Sequence, residues 1–322
     1  MNATLPTRSI LAATDLTPSS DRVLRAAASL CALTGATLHV VHAFDFPPSP
    51  YMGQVGEIAT FQGRIADCES AVRAQVTRLV PAGVTVAPPR VEIYAAHRAI
   101  ADCARDVQAE LVVIGPHARR EMEIGFLGGT ADRLLRTLEV PCLVVRDHLR
   151  FPLKHVVVPM DLSEWARAAL DVAVAWGSGL AAHREDMALP DTLLTVLHVA
   201  PRVLFGPGMP FDRAEVLPGW NEALAEAAEE AANVEVREQI LWGDRAGDEI
   251  VAFAEREKAD LVVMSTHGFG AFKRALLGGT AQAVARRAAC PVLMVPPRMW
   301  VEDVEAAVPA VDAAEVFAPP RV

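Results

Sequence analysis

The chain repeats itself, and the repeat is long. Leu111-Val112-Val113-Ile114-Gly115-Pro116-His117 runs on to Leu127-Gly128-Gly129-Thr130-Ala131 and then Val140-Pro141-Cys142-Leu143-Val144-Val145. The same phrase returns as Leu261-Val262-Val263-Met264-Ser265-Thr266-His267, Leu277-Gly278-Gly279-Thr280-Ala281 and Cys290-Pro291-Val292-Leu293-Met294-Val295. Leu111 and Leu261, Gly128 and Gly278, and Pro141 and Pro291 are each 150 positions apart. Solenoid and propeller repeats have periods of roughly 20–50 residues, so each copy here is expected to be a whole domain with its own core. The beginnings of the copies also match, Ile10 to Thr17 with Val156 to Ser163, now at an offset of 146. By the next apolar run, Leu38 to His42 against Leu194 to His198, the offset has grown to 156. The second copy therefore carries extra residues, expected as a loop over residues 177–191, and loses others in the following crossover.

Within each copy apolar strands alternate with helical patterns. The first reads as a strand from Ser9 to Thr14, a helix opening near Thr17-Pro18-Ser19-Ser20-Asp21, and a strand from Thr37 to Ala43. A helix from about Glu57 to Leu79, a strand near Val91 to Tyr94, a helix from Ala99 to Asp106 and a strand from Leu111 to Gly115 follow. A helix after Gly129 and a strand from Cys142 to Val145 complete it. Proline in a first helical turn with Ser and Asp beside it suits a helix start. Strand–helix alternation implies right-handed crossovers and an α/β fold with a mostly parallel sheet covered on both faces. Val112-Val113-Ile114 and Val262-Val263-Met264 lack polar alternation, as central strands should. The domains are expected at 1–147 and 153–298, with an acidic tail at 299–322. Leu143-Val144-Val145 and Val292-Leu293-Met294-Val295 are short apolar strands that would be a liability as bare sheet edges, so the domains are expected to pair through them as an intramolecular pseudo-dimer.

Composition removes several classes of function. At 52% hydrophobic and 22% charged residues, with no apolar run near the length of a membrane span, the chain reads as a soluble globular protein. Its net charge of −10 argues against nucleic acid or an anionic membrane as a partner. The N-terminus offers no basic leader with an apolar stretch, and the five cysteines form no even, closely paired set, so the expected compartment is the cytoplasm. Cys142 and Cys290 read as small core residues. No metal-ligand spacing, Walker loop or Gly-x-Ser-x-Gly elbow is present.

In a doubly wound sheet, ligands bind beyond the carboxyl ends of the strands where successive connections leave in opposite directions, here between strands one and four. That brings Asp15 or Asp161 together with the glycine loop of the same copy. Glycines let backbone N–H groups approach phosphate oxygens, and the helix beginning at Gly278-Gly279-Thr280 adds free donors and a positive dipole end. Two blander readings compete: the aspartates could cap the next helices, and the glycines could serve only tight turns. His42 and His198 read as packed, hydrogen-bonded residues more readily than as catalysts, and His267 sits in the motif loop, where it can orient it.

The spacing Gly, two residues, Gly, nine residues, Gly and then Ser or Thr, with Asp after the first strand and Cys-Pro-Val-Leu-x-Val at the end, resembles the universal stress protein family. The resemblance spans residues 8–146 and 154–297. It implies two tandem flavodoxin-like domains, each with a five-stranded parallel sheet of order 3-2-1-4-5, in a family with ATP-binding and non-binding members. It also implies a nucleotide site in domain 2 made by Pro159, Met160, Asp161, Val199, Met264 and Ser265, with His267, Gly268, Gly278, Gly279 and Thr280 at the loop. Weaker counterparts in domain 1 are Asp15, Gly115, Gly128, Gly129 and Thr130. Neither motif is intact. Ser265 replaces the first glycine and Gly279 the final Ser or Thr in the second copy, whereas Ala118 replaces the second glycine in the first copy, followed by bulky Arg119-Arg120-Glu121-Met122-Glu123. Domain 2 is therefore favoured, taking ATP with or without Mg²⁺, its Asp161 toward adenosine. Lys273 and Arg274 are the only cations near its loop, and no carboxylate is placed to activate water, so a sensor or regulator is expected rather than a turnover enzyme. An interaction module without nucleotide and a slow adenine-nucleotide hydrolase are the alternatives. A further homodimer is left open.

Overall fold

The computed structural model describes residues 5–44, 55–116, 127–181, 192–202, 219–268 and 277–297. Domain 1 comprises β1 (Ser9–Thr14), α1 (Pro18–Thr34), β2 (Thr37–Ala43), α2 (Val55–Leu79), β3 (Arg90–Glu92), α3 (Ala96–Asp106), β4 (Leu111–Ile114), α4 (Gly129–Thr137) and β5 (Cys142–Val144). Domain 2 comprises β6 (His155–Pro159), α5 (Glu164–Ala181), β7 (Thr192–Ala200), α6 (Trp220–Glu230), β8 (Val234–Trp242), α7 (Ala246–Arg256), β9 (Leu261–Ser265), α8 (Gly279–Arg287) and β10 (Val292–Val295). All ten strands join one sheet in the order β3-β2-β1-β4-β5-β10-β9-β6-β7-β8.

Every pairing within a half is parallel, and the two halves meet where β5 and β10 run antiparallel. There Leu143 lies opposite Leu293, flanked by Val144 with Val292 and Cys142 with Met294. This is the pairing expected of two apolar edges, and it places a pseudo-two-fold axis at the Leu143–Leu293 pair. Both leucines are fully buried. Successive residues of the central strands face opposite layers. Leu111 and Val113 join the layer under α1, α2, α5 and α6, whereas Val112 and Ile114 join the one under α3, α4, α7 and α8. Each layer draws residues from both halves. A hydrogen bond of 2.8 Å from Gln282 Nε2 to Asp132 Oδ1 also joins α8 to α4 near the axis.

The structure corrects the insertion. Helix α5 continues through Gly177 and Gly179 to Ala181, so the loop begins later than residue 177. These glycines allow close packing: a Cβ on Gly177 would lie 3.0 Å from Val234 Cγ2, and one on Gly179 would strike Leu5. Helix α1 opens where expected, with Thr17 at the N-cap position and its hydroxyl donating to Asp15 Oδ1. Helix α3 starts earlier than expected, at Ala96, and β3 is shorter. Cys142 is buried as expected, and burial pushes the Cys290 thiol up to about 12. The acidic tail lies outside the described residues. Among the described residues no helix is long and apolar enough to cross a membrane.

Two outcomes follow. Leu293→Asp would put a charge at a fully buried cross-sheet contact, a loss of several kcal/mol. It should lower the melting of both halves together in calorimetry; separate melting of two halves in the unmodified chain would contradict the shared core. On α5, burial pushes the Asp171 carboxyl up to about 6, with Glu230 and Glu226 of α6 adding to the effect and Arg167 opposing it. A raised carboxyl pKa favours the neutral form on folding, so its contribution is present at low pH and lost as pH rises from about 4 to about 6. Asp171→Asn should remove that slope in urea titrations. At pH 7 it should stabilise the protein by on the order of 1 kcal/mol, allowing for solvent screening of the partly exposed group.

Candidate functional site

In domain 2, β6 ends at Pro159 and the chain enters Met160-Asp161-Leu162-Ser163. Met160 is buried, its N–H donating to Leu197 O at 2.8 Å. Leu162 takes a left-handed backbone angle, φ 64°, and Leu16 in domain 1 takes the same value. Leucine rarely adopts this conformation, and it costs on the order of 1 kcal/mol. Side-chain bonds hold the turn in place. Asp161 Oδ1 accepts from Ser163 N at 3.1 Å and Ser163 Oγ at 2.5 Å, and Ser163 Oγ accepts from Ala166 N at 3.2 Å at the start of α5. Asp15 Oδ1 likewise accepts from Thr17 N at 3.0 Å and Thr17 Oγ1 at 2.6 Å. Helix capping, the reading set against ligand contact, does not hold for Asp15, since Thr17 is the N-cap of α1; in both domains the aspartate orders the turn before the helix instead.

The other carboxylate oxygen of Asp161 faces the glycine loop. A Cβ added to Gly268 would lie 2.5 Å from Asp161 Oδ2. Gly268 has no positive φ, so it is glycine because the carboxylate occupies that space. The ends of β6 and β9 therefore converge at one place, beyond the strand ends where the connections diverge. Ala118, the domain 1 counterpart of Gly268, lies outside the described residues, as do Arg119 to Glu123, Lys273 and Arg274.

At the end of β9, Ser265 is buried and its Oγ accepts the His267 N–H at 3.1 Å. Its φ is not positive, so a serine at the first glycine position of the motif requires no strained backbone. His267 Nδ1 and Thr266 Oγ1 share a hydrogen bond of 2.8 Å, Thr266 N donates to Val295 O at 3.0 Å, and Gly278 N donates to Thr266 O at 3.0 Å. Domain 1 repeats the last of these, Gly128 N to Pro116 O at 2.8 Å. Met264 is buried, and Val199 is half-buried at the end of β7.

Gly278 is the N-cap of α8, with φ −58° and ψ 141°, angles open to any residue. A Cβ there would meet Thr266 O at 3.5 Å and Ala281 Cβ at 4.0 Å, ordinary contacts; one on Gly279 would meet nothing within 4 Å. Tight-turn geometry therefore does not explain either glycine. The N–H groups from Gly279 to Ala281 have no earlier carbonyl within the helix, and no side chain caps them. Gly279 and Thr280 are exposed. Among the described residues, nothing fills the space beside Gly279 or bonds the first N–H groups of α8, which stand at a positive dipole end that suits an anion. Gly129 leaves the same space at the start of α4, beside Thr130.

Sequence reasoning missed the support behind this site. His198 Nδ1 lies 2.8 Å from Met160 O, and a carbonyl only accepts, so this nitrogen carries the proton. His42 repeats the bond to Thr14 O at 2.8 Å. Trp220, fully buried at the start of α6, sets its ring edge-on to His198 with centroids 6.0 Å apart and donates to Glu238 Oε2 at 2.9 Å. The domains differ at the strand end itself. Where domain 2 has Met160, domain 1 has buried Thr14, whose hydroxyl donates to Gln75 Oε1 at 2.7 Å; Gln75 Nε2 in turn donates to Asp21 Oδ1 at 2.8 Å. No metal-binding group of three His, Cys, Asp or Glu residues occurs among the described residues.

The universal stress protein family model matches residues 6–146 and 152–296. A universal stress protein of Mycolicibacterium smegmatis is 26% identical over 313 residues, covering 90% of this chain and 97% of the relative. Universal stress protein MJ0531 of Methanocaldococcus jannaschii is 33% identical over 156 residues, covering 44% of this chain and 81% of that protein. Among solved structures, a universal stress protein from Archaeoglobus fulgidus superposes with a TM-score of 0.67 at 18% identity, covering 91% of this chain and 99% of the other, a likeness of fold.

The glycines make opposite predictions for stability. Gly268→Ala should displace the Asp161 turn and lower the melting temperature. Gly279→Ala, in open space at a helical position, should be neutral or stabilising by up to about 1 kcal/mol. Thermal melts of the two variants check this; a destabilised Gly279→Ala would mean that the glycine serves the fold.

Proposed function

Because the chain belongs to the universal stress protein family, which includes ATP-binding members, we propose that it is an adenine-nucleotide-binding protein of the stress response. In this reading ATP is held by domain 2, and its occupancy rather than its turnover is the output. The observation that carries the proposal is the pair Gly278 and Gly279. Among the described residues, neither is required by backbone angle or packing, and no side chain caps the N–H groups of α8 that follow them. Phosphate oxygens accept from those N–H groups and from the Thr280 hydroxyl, with Mg²⁺ sharing the charge. Adenosine lies toward Pro159, Met160, Asp161 and Val199, with Met264, Ser265 and His267 forming the floor between β6 and β9. Asp161 combines both roles weighed for it: one oxygen fixes the Leu162 turn, and the carboxylate edge by Gly268 remains at the crevice.

Domain 1 is the unequal half. Its first strand ends in a polar network tied to α2, whereas domain 2 presents a methionine at that position. Binding is favoured over hydrolysis because phosphoryl transfer needs a positioned water and cationic charge beside the γ-phosphate, and the loop's own cations in the sequence are Lys273 and Arg274 alone.

Calorimetric titration of the purified protein with ATP tests the proposal. One site is expected, lost in Gly278→Val and retained in Gly128→Val; equal loss in both, or in neither, would overturn the assignment to domain 2. Phosphate release should remain far below roughly one per second. Release at that rate, abolished by Asp161→Asn, would make the protein an ATPase.

A further inference from the structure

Domain 1 holds a basic group at the α3–α4 crossing without the carboxylate that pairs the arginines at the same place in domain 2. The first turn of α3 holds His97 and Arg98 and no acidic residue. The Arg98 cation stands at the positive end of the helix dipole, the less favourable end for it. Arg133 lies on α4, which packs on α3, and its charge acts on His97. Burial first, and then Arg133 and Arg98, hold the His97 pKa below the ordinary histidine range.

The carboxylates closest in sequence are engaged elsewhere. Asp102, four residues beyond Arg98, pairs with Arg105 and accepts from Tyr94 at 3.4 Å. Asp132, beside Arg133, pairs with Arg136 at 2.9 Å and accepts from Gln282 at 2.8 Å. Neither Arg98 nor Arg133 forms an ion pair with a described residue.

The second domain shows what the fold requires at these positions. His97, Arg98 and Arg133 correspond, 150 residues on, to Gly247, Asp248 and Ala283. A Cβ on Gly247 would lie 2.7 Å from Ala283 Cβ, so the backbones of the two helices meet here. Asp248 supplies a carboxylate to this spot and pairs with Arg287. Domain 2 thus balances Arg245 and Arg287 with Asp248, while domain 1 sets Arg98 and Arg133 beside the His97 imidazole with arginine where domain 2 has that aspartate.

We propose that His97, Arg98 and Arg133 form a second anion site, on the α3–α4 face of domain 1, for a phosphate-type oxyanion. Two guanidinium forks offer paired N–H donors to tetrahedral oxygens, and the imidazole adds a donor that gains its proton as the anion binds. This site is independent of the nucleotide reading for domain 2. Its ligand is either free phosphate or the phosphate groups of a larger molecule, and two probes separate these sources.

The experiment is calorimetric titration of the full chain in chloride buffer with inorganic phosphate and, separately, with tripolyphosphate. It is done in a Gly278→Val, Gly128→Val background so that neither glycine loop contributes. Saturable binding of phosphate itself would assign a simple oxyanion, and binding of tripolyphosphate alone an oligophosphate. Arg98→Ala with Arg133→Ala should weaken binding by about tenfold or more, and Arg98→Lys with Arg133→Lys should recover part of it. Because the His97 ring gains its proton on binding, the ratio of affinities of the unmodified chain and His97→Gln should grow as pH is lowered, a comparison in which the probe's own titration cancels. In the unmodified chain, proton NMR should show the His97 ring signal moving toward its protonated position as the probe is added, a readout independent of any substitution. Absence of saturable binding by either probe, or binding unchanged in the double alanine variant, would overturn the proposal. Adenosine binding to the unmodified chain, measured alongside, reads domain 2 alone.

Discussion

The antiparallel contact between β5 and β10 is the constraint on which the rest of the molecule depends. Each half alone would end in a short strand with buried-type residues and one unpaired edge. Joining them converts two such edges into the centre of a ten-stranded sheet and makes both helical layers continuous across the axis. Leu143 and Leu293 act as one contact, and damage there falls on both halves. The direction of that contact also sets the placement of the sites. Strands are parallel within each half and reversed between halves, so the carboxyl ends of β1 and β4 point opposite to those of β6 and β9. The two crevices therefore open at opposite ends of the sheet.

The strained turn after the first strand is the second fixed point. Leu16 and Leu162 hold the same left-handed angle in domains whose sequences have otherwise diverged. Each is held by an aspartate that closes on the Thr or Ser two residues on, and in domain 2 the strand end behind the turn is tied to His198, braced by Trp220. A loop held by this many bonds keeps its carboxylate in one position before any ligand arrives, which lowers the ordering cost of binding.

Much of this was legible in the sequence, for identifiable reasons. The offset of 150 between glycine loops announced the duplication, the unbroken Val112-Val113-Ile114 run announced a strand covered on both faces, and the apolar last strands announced their own pairing. The convergence of Asp161 and Gly268 followed from the switch-point rule, although the reason for glycine at 268, contact with the Asp161 carboxylate itself, is visible only in coordinates. Other features gave no local signal. A leucine at positive φ contradicts its own propensity, so only the surrounding bonds reveal it. Gly177 and Gly179 looked like loop residues because glycine breaks helices in isolation; helix α5 keeps them because Val234 and Leu5 press against it there. Trp220 meets His198 across a long sequence interval, and no periodicity encodes such a meeting.

Placing both halves on one chain changes the rules under which the central contact forms. Two separate subunits associate only as their concentration allows, and their folded fraction falls on dilution. Here the end of β5 and the start of β6 are separated by the short segment between Val144 and His155, so each half meets its partner at an effective concentration fixed by the tether, of millimolar order for short linkers. The pairing of β5 with β10 is thus insensitive to how much protein the cell makes. The two halves, no longer bound to be identical, can drift apart in what each of them recognises.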